Sequence, residues 1–318
     1  MSKNESNPSQ CGFRTSIGGQ ALIEGIMMRG PFKQAIVCRT EDGLVEKVED
    51  LKWIKDRYPV LGWPFVRGII VFLDSMIKGV KALTFSAELI PEDEEYEPDK
   101  IDQWIENHFS AEKAQKLIIG VAVVLGIALS VALFVILPAF FAGLIGGVKQ
   151  DYLVRNLVEG LFKVIILIFY MFLVSKMKEM KRLFSYHGAE HKTIFCYEHG
   201  NELTVDNVRK ESRFHPRCGT SFLFVVIMIS IIVNSVVTST VTIVRILLHI
   251  LLIPVVVGFS YEFNRWCGAH DNVLSTILSA PGKWLQKITT NEPDDGMIEC
   301  AIRALELVIP EEKGADLW

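Results

Sequence analysis

Residues 117–137 read LIIGVAVVLGIALSVALFVIL and carry no charge. At about 1.5 Å of rise per residue, a helix of this length crosses a bilayer hydrocarbon core of about 30 Å. The stretch therefore reads as a transmembrane helix, and it decides the fold class. Uncharged sequence continues past Pro138 to Val148 through Gly143, Gly146 and Gly147, so the crossing is expected to end in a kink or a short re-entrant piece. The whole chain agrees: of 318 residues 50% are hydrophobic, and the mean hydropathy is +0.31. A net charge of -4 provides no basic field, so nucleic acid is not expected as a partner.

Working outward, residues 157–175, 221–237 and 241–261 supply three further apolar stretches. Glu159 and Lys163 form an i, i+4 pair near the start of the second span, where they neutralise each other or snorkel. The third and fourth spans make a tight hairpin around Thr238-Ser239-Thr240, with Arg245 near the turn. Asn234, His249 and Pro254 lie inside these spans, and polar groups there face other helices. Lys113 and Lys116 precede the first span, Lys176, Lys178, Lys181 and Arg182 follow the second, and only Lys149 and Arg155 lie between. The positive-inside rule puts that intervening loop outside, so four crossings leave both termini in the cytoplasm.

The flanks are less apolar. Residues 1–13 are polar and read as a disordered tail without the apolar core of a signal peptide. Six scattered cysteines (11, 38, 196, 218, 267 and 300) do not make a disulfide framework in a chain this long. Residues 14–56 read as a small β element: Glu41-Asp42-Gly43 between two β-prone runs signals a hairpin. Before it, SIGGQALIEGIMMRGP (16–31) reads as a strand with turns at Gly18-Gly19 and Gly30-Pro31. Residues 57–90 become helical after Trp63-Pro64, with Arg67, Asp74, Lys78 and Lys81 in one stripe of an apolar cylinder. Such a helix lies in the membrane interface or turns its stripe inward. Residues 91–116 follow as an acidic linker, PEDEEYEPDK, and a short lead-in helix.

The chemistry concentrates in the loop 176–220, between the second and third spans. Tyr186-His187-Gly188-Ala189-Glu190-His191-Lys192 sets His187, Glu190 and His191 at i, i+3 and i+4, so one helix face carries all three. His-x-x-Glu-His inverts the zinc-hydrolase signature, in which two imidazoles bind the metal and the glutamate polarises a water. A bland reading stands beside it, of polar residues solvated after an apolar helix. A metal needs a third donor, and His215, Cys218, Glu262 and His270 are the candidates, with Asp271 beside the last. A rival arrangement is a closed structural tetrahedron from Cys196-x-x-His199 and His215-x-x-Cys218. The isolated His108 and His249 read as structural.

Taken together, GGQALIEGIMMRGP, YHGAEHK and HPRCGTSF resemble the YqhQ-like family of bacterial integral membrane proteins, labelled predicted metal-dependent enzymes. The resemblance runs from about Gly18 to about Ala304. Its motif positions here are Gln20, Glu24 and Arg29, then His187, Glu190 and His191, then His215, Arg217 and Cys218. It implies a multi-pass protein of the bacterial cytoplasmic (inner) membrane with its motifs clustered on the cytoplasmic face.

The expected architecture is a mainly α membrane protein. It has about four transmembrane helices within 117–261, an interfacial helix, a small N-terminal β-hairpin element, cytoplasmic loops and a cytoplasmic C-terminal segment, 262–318. The expected function is Zn2+-dependent hydrolysis of a peptide, ester or amide, with Glu190 as base and Arg29 or Arg217 binding an anionic group. The expected partners are membrane lipid and a substrate or protein at the cytoplasmic face. The alternative is a non-catalytic assembly factor or adaptor. A transporter is the weakest reading, since the spans carry few charges and no repeat.

Overall fold

A computed structural model describes residues 12–51, 58–90, 108, 110–148, 151–270 and 272–317. The expected disordered tail, the acidic linker and Asp271 lie outside the described residues, apart from the last residues of the tail and the lead-in segment. The chain forms two compact units: one combines residues 1–89, 168–230 and 253–318, the other 90–167 and 231–252.

The first unit is built around an antiparallel meander of four strands in the order β1 (Gly18–Leu22), β2 (Gly25–Arg29), β3 (Lys33–Thr40) and β4 (Gly43–Asp50). The hairpin expected at Asp42-Gly43 is present, with Thr40 opposite Gly43. Residues 16–31 hold two strands where one was expected. Leu22 pairs with Gly25 across a tight turn, made possible by Glu24 at φ 49°. Carboxylate hydrogen bonds from Arg182 and Tyr186 fix Glu24 in that uncommon conformation.

β2 and β3 read IMM and AIVC because both sheet faces are covered. On one face Ile26, Met28, Ala35 and Val37 pack against Tyr186, Ala189 and Ile194 of α5 (Lys178–Glu198) and Cys300, Ala301 and Ala304 of α11 (Asp295–Glu306). On the other, Leu22, Met27, Ile36 and Cys38 pack on Ala82 of α1 (Val66–Glu88). The unit is thus a helix–sheet–helix sandwich, completed by the short α6 (Val205–Lys210) and by α10 (Val273–Thr289).

Three of the four residues in the polar stripe of α1, Arg67, Asp74 and Lys78, turn inward, and Lys81 is exposed. Asp74 accepts from Arg29 at 2.5 Å and from Lys78 at 2.9 Å, and Arg67 pairs with Glu262 of α9 (Ile253–Ala269) at 2.6 Å. Leu73, Met76 and Ile77 are left exposed on the far side. Glycines at the α1–α9 crossing let the backbones approach: a Cβ on Gly258 would meet the Phe65 carbonyl at 2.9 Å.

Among the described residues, two helices are long and apolar enough to cross a membrane, over Lys113–Leu144 and Tyr152–Val174. The first runs from α2 (Ala111–Val131) through a widened turn at Ala132–Ile136 into α3 (Leu137–Leu144), and the second is α4. Of the expected lead-in segment, residues 111–116 are the beginning of α2, and 101–107 and 109 lie outside the described residues. The other two expected spans are less regular. α7 (Gly219–Asn234) has an apolar part of only Phe222–Asn234, and α8 (Thr242–Leu251) meets α9 at a 48° bend. Pro254 explains the bend, since it has no N–H to continue the helix. Of the about four spans expected, the described residues give two helices long and apolar enough to cross a membrane, or three if the bent pair is one crossing.

Candidate metal centre

α5 carries the motif. It ends at Gly200, whose φ of 71° is the left-handed stop that glycine permits. From Tyr186 to Glu198 the helix is almost wholly buried, with the sheet and α11 on one side and the segment 199–218 on the other. Lys192 holds that segment by donating to the carbonyls of Arg209 at 3.0 Å and Glu211 at 2.9 Å. Gly188 allows residues 289–291 to cross directly over the helix. A Cβ there would collide with the Asn291 carbonyl, and Asn291 N–H instead reaches the Phe184 carbonyl at 2.8 Å.

These crossings orient both imidazoles. His187 Nδ1 lies 2.8 Å from the Thr289 carbonyl, and His191 Nδ1 lies 2.6 Å from the Arg213 carbonyl. A carbonyl only accepts, so each Nδ1 carries the proton and each Nε2 is the atom offered elsewhere. His187 Nε2 faces Cys218 Sγ at 3.1 Å. His191 Nε2 is buried with no hydrogen-bond partner. One ligand atom from each of His187, His191 and Cys218 lies within 4.8 Å of the other two.

This set fits a tetrahedral transition-metal ion. Bonds of about 2.0–2.1 Å from nitrogen and about 2.3 Å from sulfur bring donors to such separations, and backbone carbonyls on the far ring nitrogens are the usual orienting partners. The electrostatics agree. Burial by itself raises the Cys218 thiol, but the imidazoles of His191 and His187 bring it well below its ordinary value. Burial lowers the His187 ring, yet the adjoining sulfur pushes it up to about 9.

Glu190 is not in the ligand group. Its Oε1 accepts from Gly19 N–H at 2.9 Å, and a Cβ on Gly19 would stand 2.9 Å from the Glu190 carboxyl carbon. Burial raises its carboxyl and the two imidazoles oppose the rise. Glu190, His191 and Cys218 line a cavity of about 410 Å³ whose wall also holds Arg29, Lys78 and Arg217.

The remaining candidates have other partners. His215 contacts Glu198 through Nε2 at 3.4 Å, and burial lowers its ring to about 4. Arg217 is paired with the same carboxylate, which also accepts from Thr15 N–H at 2.9 Å. Glu262 is engaged by Arg67 and by Phe65 N–H. His270 is exposed, stacked on Trp266 with its Nδ1 at the Trp266 carbonyl. Neither Glu262 nor His270 joins the His187 group. The rival tetrahedron is not assembled either: Cys196 points its sulfur at the Glu202 carbonyl, and His199 is paired with Glu211. Sequence reading missed Glu198, although it follows His187 by three helical turns and so shares its face. The carbonyls of Thr289 and Arg213 left no signal, because any residue supplies one.

Fold and site together define a mainly helical protein with apolar helices of membrane-crossing length and a His/His/Cys cluster, buried at His191 and Cys218 and half-buried at His187, beside a carboxylate. The family described as a protein of unknown function (DUF1385) matches residues 63–311. The chain is also 34% identical to the uncharacterized protein YqhQ of Bacillus subtilis (strain 168) over 292 residues, 90% of each chain. It belongs to this YqhQ-like family. No solved structure matches.

Proposed function

We propose that this protein is a membrane-anchored, metal-dependent hydrolase, with a divalent transition ion, Zn2+ foremost, held by His187, His191 and Cys218. The observation that carries the reading is the convergence of two carbonyl-tethered imidazoles and one sulfur within 4.8 Å. Three protein ligands leave a fourth position open, the arrangement of catalytic and not structural sites. When bound, such an ion polarises a carbonyl and acidifies a coordinated water. Glu190 then takes up and returns the proton. One carboxylate oxygen is fixed by Gly19, and burial raises its affinity for a proton above that of an ordinary carboxylate, the direction a general base needs. Arg29 and Lys78, paired with Asp74, and Arg217, paired with Glu198, still place hydrogen-bond donors in the cavity wall, which suits a substrate bearing an anionic group beside its peptide, ester or amide bond.

The sheet, α5 and α11 share one core, which supports an even number of crossings between residues 50 and 178 and again between 198 and 295. A lone third crossing by α8–α9 breaks this parity. Two crossings, or four with α7 paired to α8–α9, keep it, with the site on the cytoplasmic face that the flanking lysines indicate.

A second reading rests on the 3.1 Å His187–Cys218 contact: a thiolate–imidazolium pair in which Cys218 is itself a nucleophile. Chelation and alkylation separate the two. Under the metal reading, chelator removes activity and added Zn2+ restores it, and bound Zn2+ protects Cys218 from iodoacetamide. Under the thiol reading, chelator has no effect and alkylation is unaffected by Zn2+.

A further inference from the structure

The second compact unit holds a polar group that the hydrolase reading does not use. Arg155, Asn156, Glu159 and Lys163 of α4 and Arg245 and His249 of α8 are all buried there. Their formal charges do not balance: Arg155, Lys163 and Arg245 stand against the one carboxylate of Glu159. Charges withdrawn into a unit whose other surfaces are leucine, isoleucine, valine and phenylalanine are costly unless paired, and ionisable groups at such sites mark function.

Its members fall into two sets. The arginines are spent on the frame. Arg155 donates to Glu159 at 3.2 Å, to the Thr240 carbonyl at 2.8 Å and to Thr242 Oγ1 at 3.0 Å. Arg245 donates twice to Glu159 at 3.0 Å, to the carbonyls of Val237 and Ser239, and to Asn156 Oδ1. Together they clamp the 237–242 turn onto α4. Glu159 is therefore paired with the arginines and not with Lys163, contrary to the i, i+4 reading.

The second set is left over. Lys163, 7% exposed, donates no hydrogen bond among the described residues. His249, 4% exposed, uses neither ring nitrogen, although its Nε2 is 3.7 Å from Glu159. Asn156 Nδ2 is also buried without a partner. Asn156, Glu159 and Lys163 recur at i, i+3 and i+7, so the unused ammonium and amide share a helix face with the carboxylate that His249 approaches. An ammonium, an imidazole and an amide N–H remain, beside an excess of positive charge. Buried donors beside an excess of positive charge are best met by an acceptor-rich anion, which satisfies the hydrogen bonds and the charge together.

We propose that this unit contains a binding site for an oxyanion of the phosphate class, held by Lys163, His249 and Asn156 on a frame of Arg155, Glu159 and Arg245. The same chemistry is presented by inorganic phosphate and by the phosphodiester of an anionic phospholipid headgroup. The site is independent of the His187 cluster.

The full-length protein tests this by thermal unfolding in detergent with added inorganic phosphate against sodium chloride of equal ionic strength, and in nanodiscs of phosphatidylglycerol against phosphatidylcholine. Native mass spectrometry of the wild type reads retained phosphate or phospholipid. Stabilisation by inorganic phosphate assigns the aqueous source, and stabilisation by phosphatidylglycerol alone assigns the lipid. In either case Lys163→Met weakens the response by about tenfold or more, the loss of one charge-assisted contact, and Lys163→Arg retains most of it. His249→Asn is the second variant should Lys163→Met fail to fold. A wild type with no retained anion and no response to phosphate or phosphatidylglycerol overturns the proposal. So does an unchanged response in Lys163→Met and His249→Asn.

Discussion

The Thr289 carbonyl lies 2.8 Å from His187 Nδ1, and this one contact decides which nitrogen of the ring faces Cys218. The contact exists because residue 188 has no side chain. Gly188→Ala drives a methyl group into the Asn291 carbonyl and lifts the strand of chain that carries Thr289. The expected result is a loss of Zn2+ affinity of about 10–100-fold, the usual cost of removing an orienting partner, with both histidines intact. Competition against a zinc-binding dye measures it. Unchanged affinity means the carbonyl does not orient the ring.

Glu190 separates catalysis from ion binding. Glu190→Gln keeps the Gly19 hydrogen bond and the shape of the cavity but cannot take a proton. Metal content is expected to be unchanged while turnover falls by about 10²–10⁴-fold. If the variant loses its metal, Glu190 is a ligand. If it retains full function in cells, the assembly-factor reading takes over.

Glu198 holds the segment 215–218 to the end of α5, since it receives Thr15, His215 and Arg217. Glu198→Ala removes the one buried carboxylate that Thr15, His215 and Arg217 share. A loss of about 3–5 kcal/mol in unfolding free energy is expected, read by chemical denaturation.

The same contact predicts acid sensitivity. Burial lowers the His215 ring from 6.5 in the unfolded chain to about 4, so the fold holds it neutral. A group depressed in this way contributes fully above its unfolded value and loses that contribution as pH falls toward the folded one. Glu198 is also held below its ordinary value, because His215 and Arg217 outweigh the opposing effect of burial, and it acts in the same direction at lower pH. Thermal stability is therefore expected to fall from about pH 6.5 to about pH 4. His215→Asn flattens that limb, and an unchanged pH profile in this variant counts against the assignment.

Some of this was legible in the chain and some was not, for identifiable reasons. Asp42-Gly43 announced a hairpin because turn chemistry is local, and the i, i+3, i+4 spacing put His187, Glu190 and His191 on one helix. Residues 117–137 announced a helix long and apolar enough to cross a membrane by length and composition alone. The third donor was narrowed to four candidates, and only tertiary packing separates Cys218 from Glu262, whose partner Arg67 lies 195 residues away. Ile23-Glu24 was not recognised as a turn because glutamate rarely adopts positive φ. It does so here through a partner, Arg182, from a distant helix. The bend at Leu252 was foreshadowed by Pro254, but hydropathy does not register a break.

The central claim is that His187, His191 and Cys218 hold one ion between them. Elemental analysis of the purified full-length protein tests it most directly, alongside His187→Asn, His191→Asn, Cys218→Ser and the two controls His270→Asn and Cys196→Ser. About one equivalent of transition metal is expected in the wild type and both controls, with loss from each of the other three variants. Metal-free wild type, or metal retained after Cys218→Ser and lost after Cys196→Ser, contradicts it.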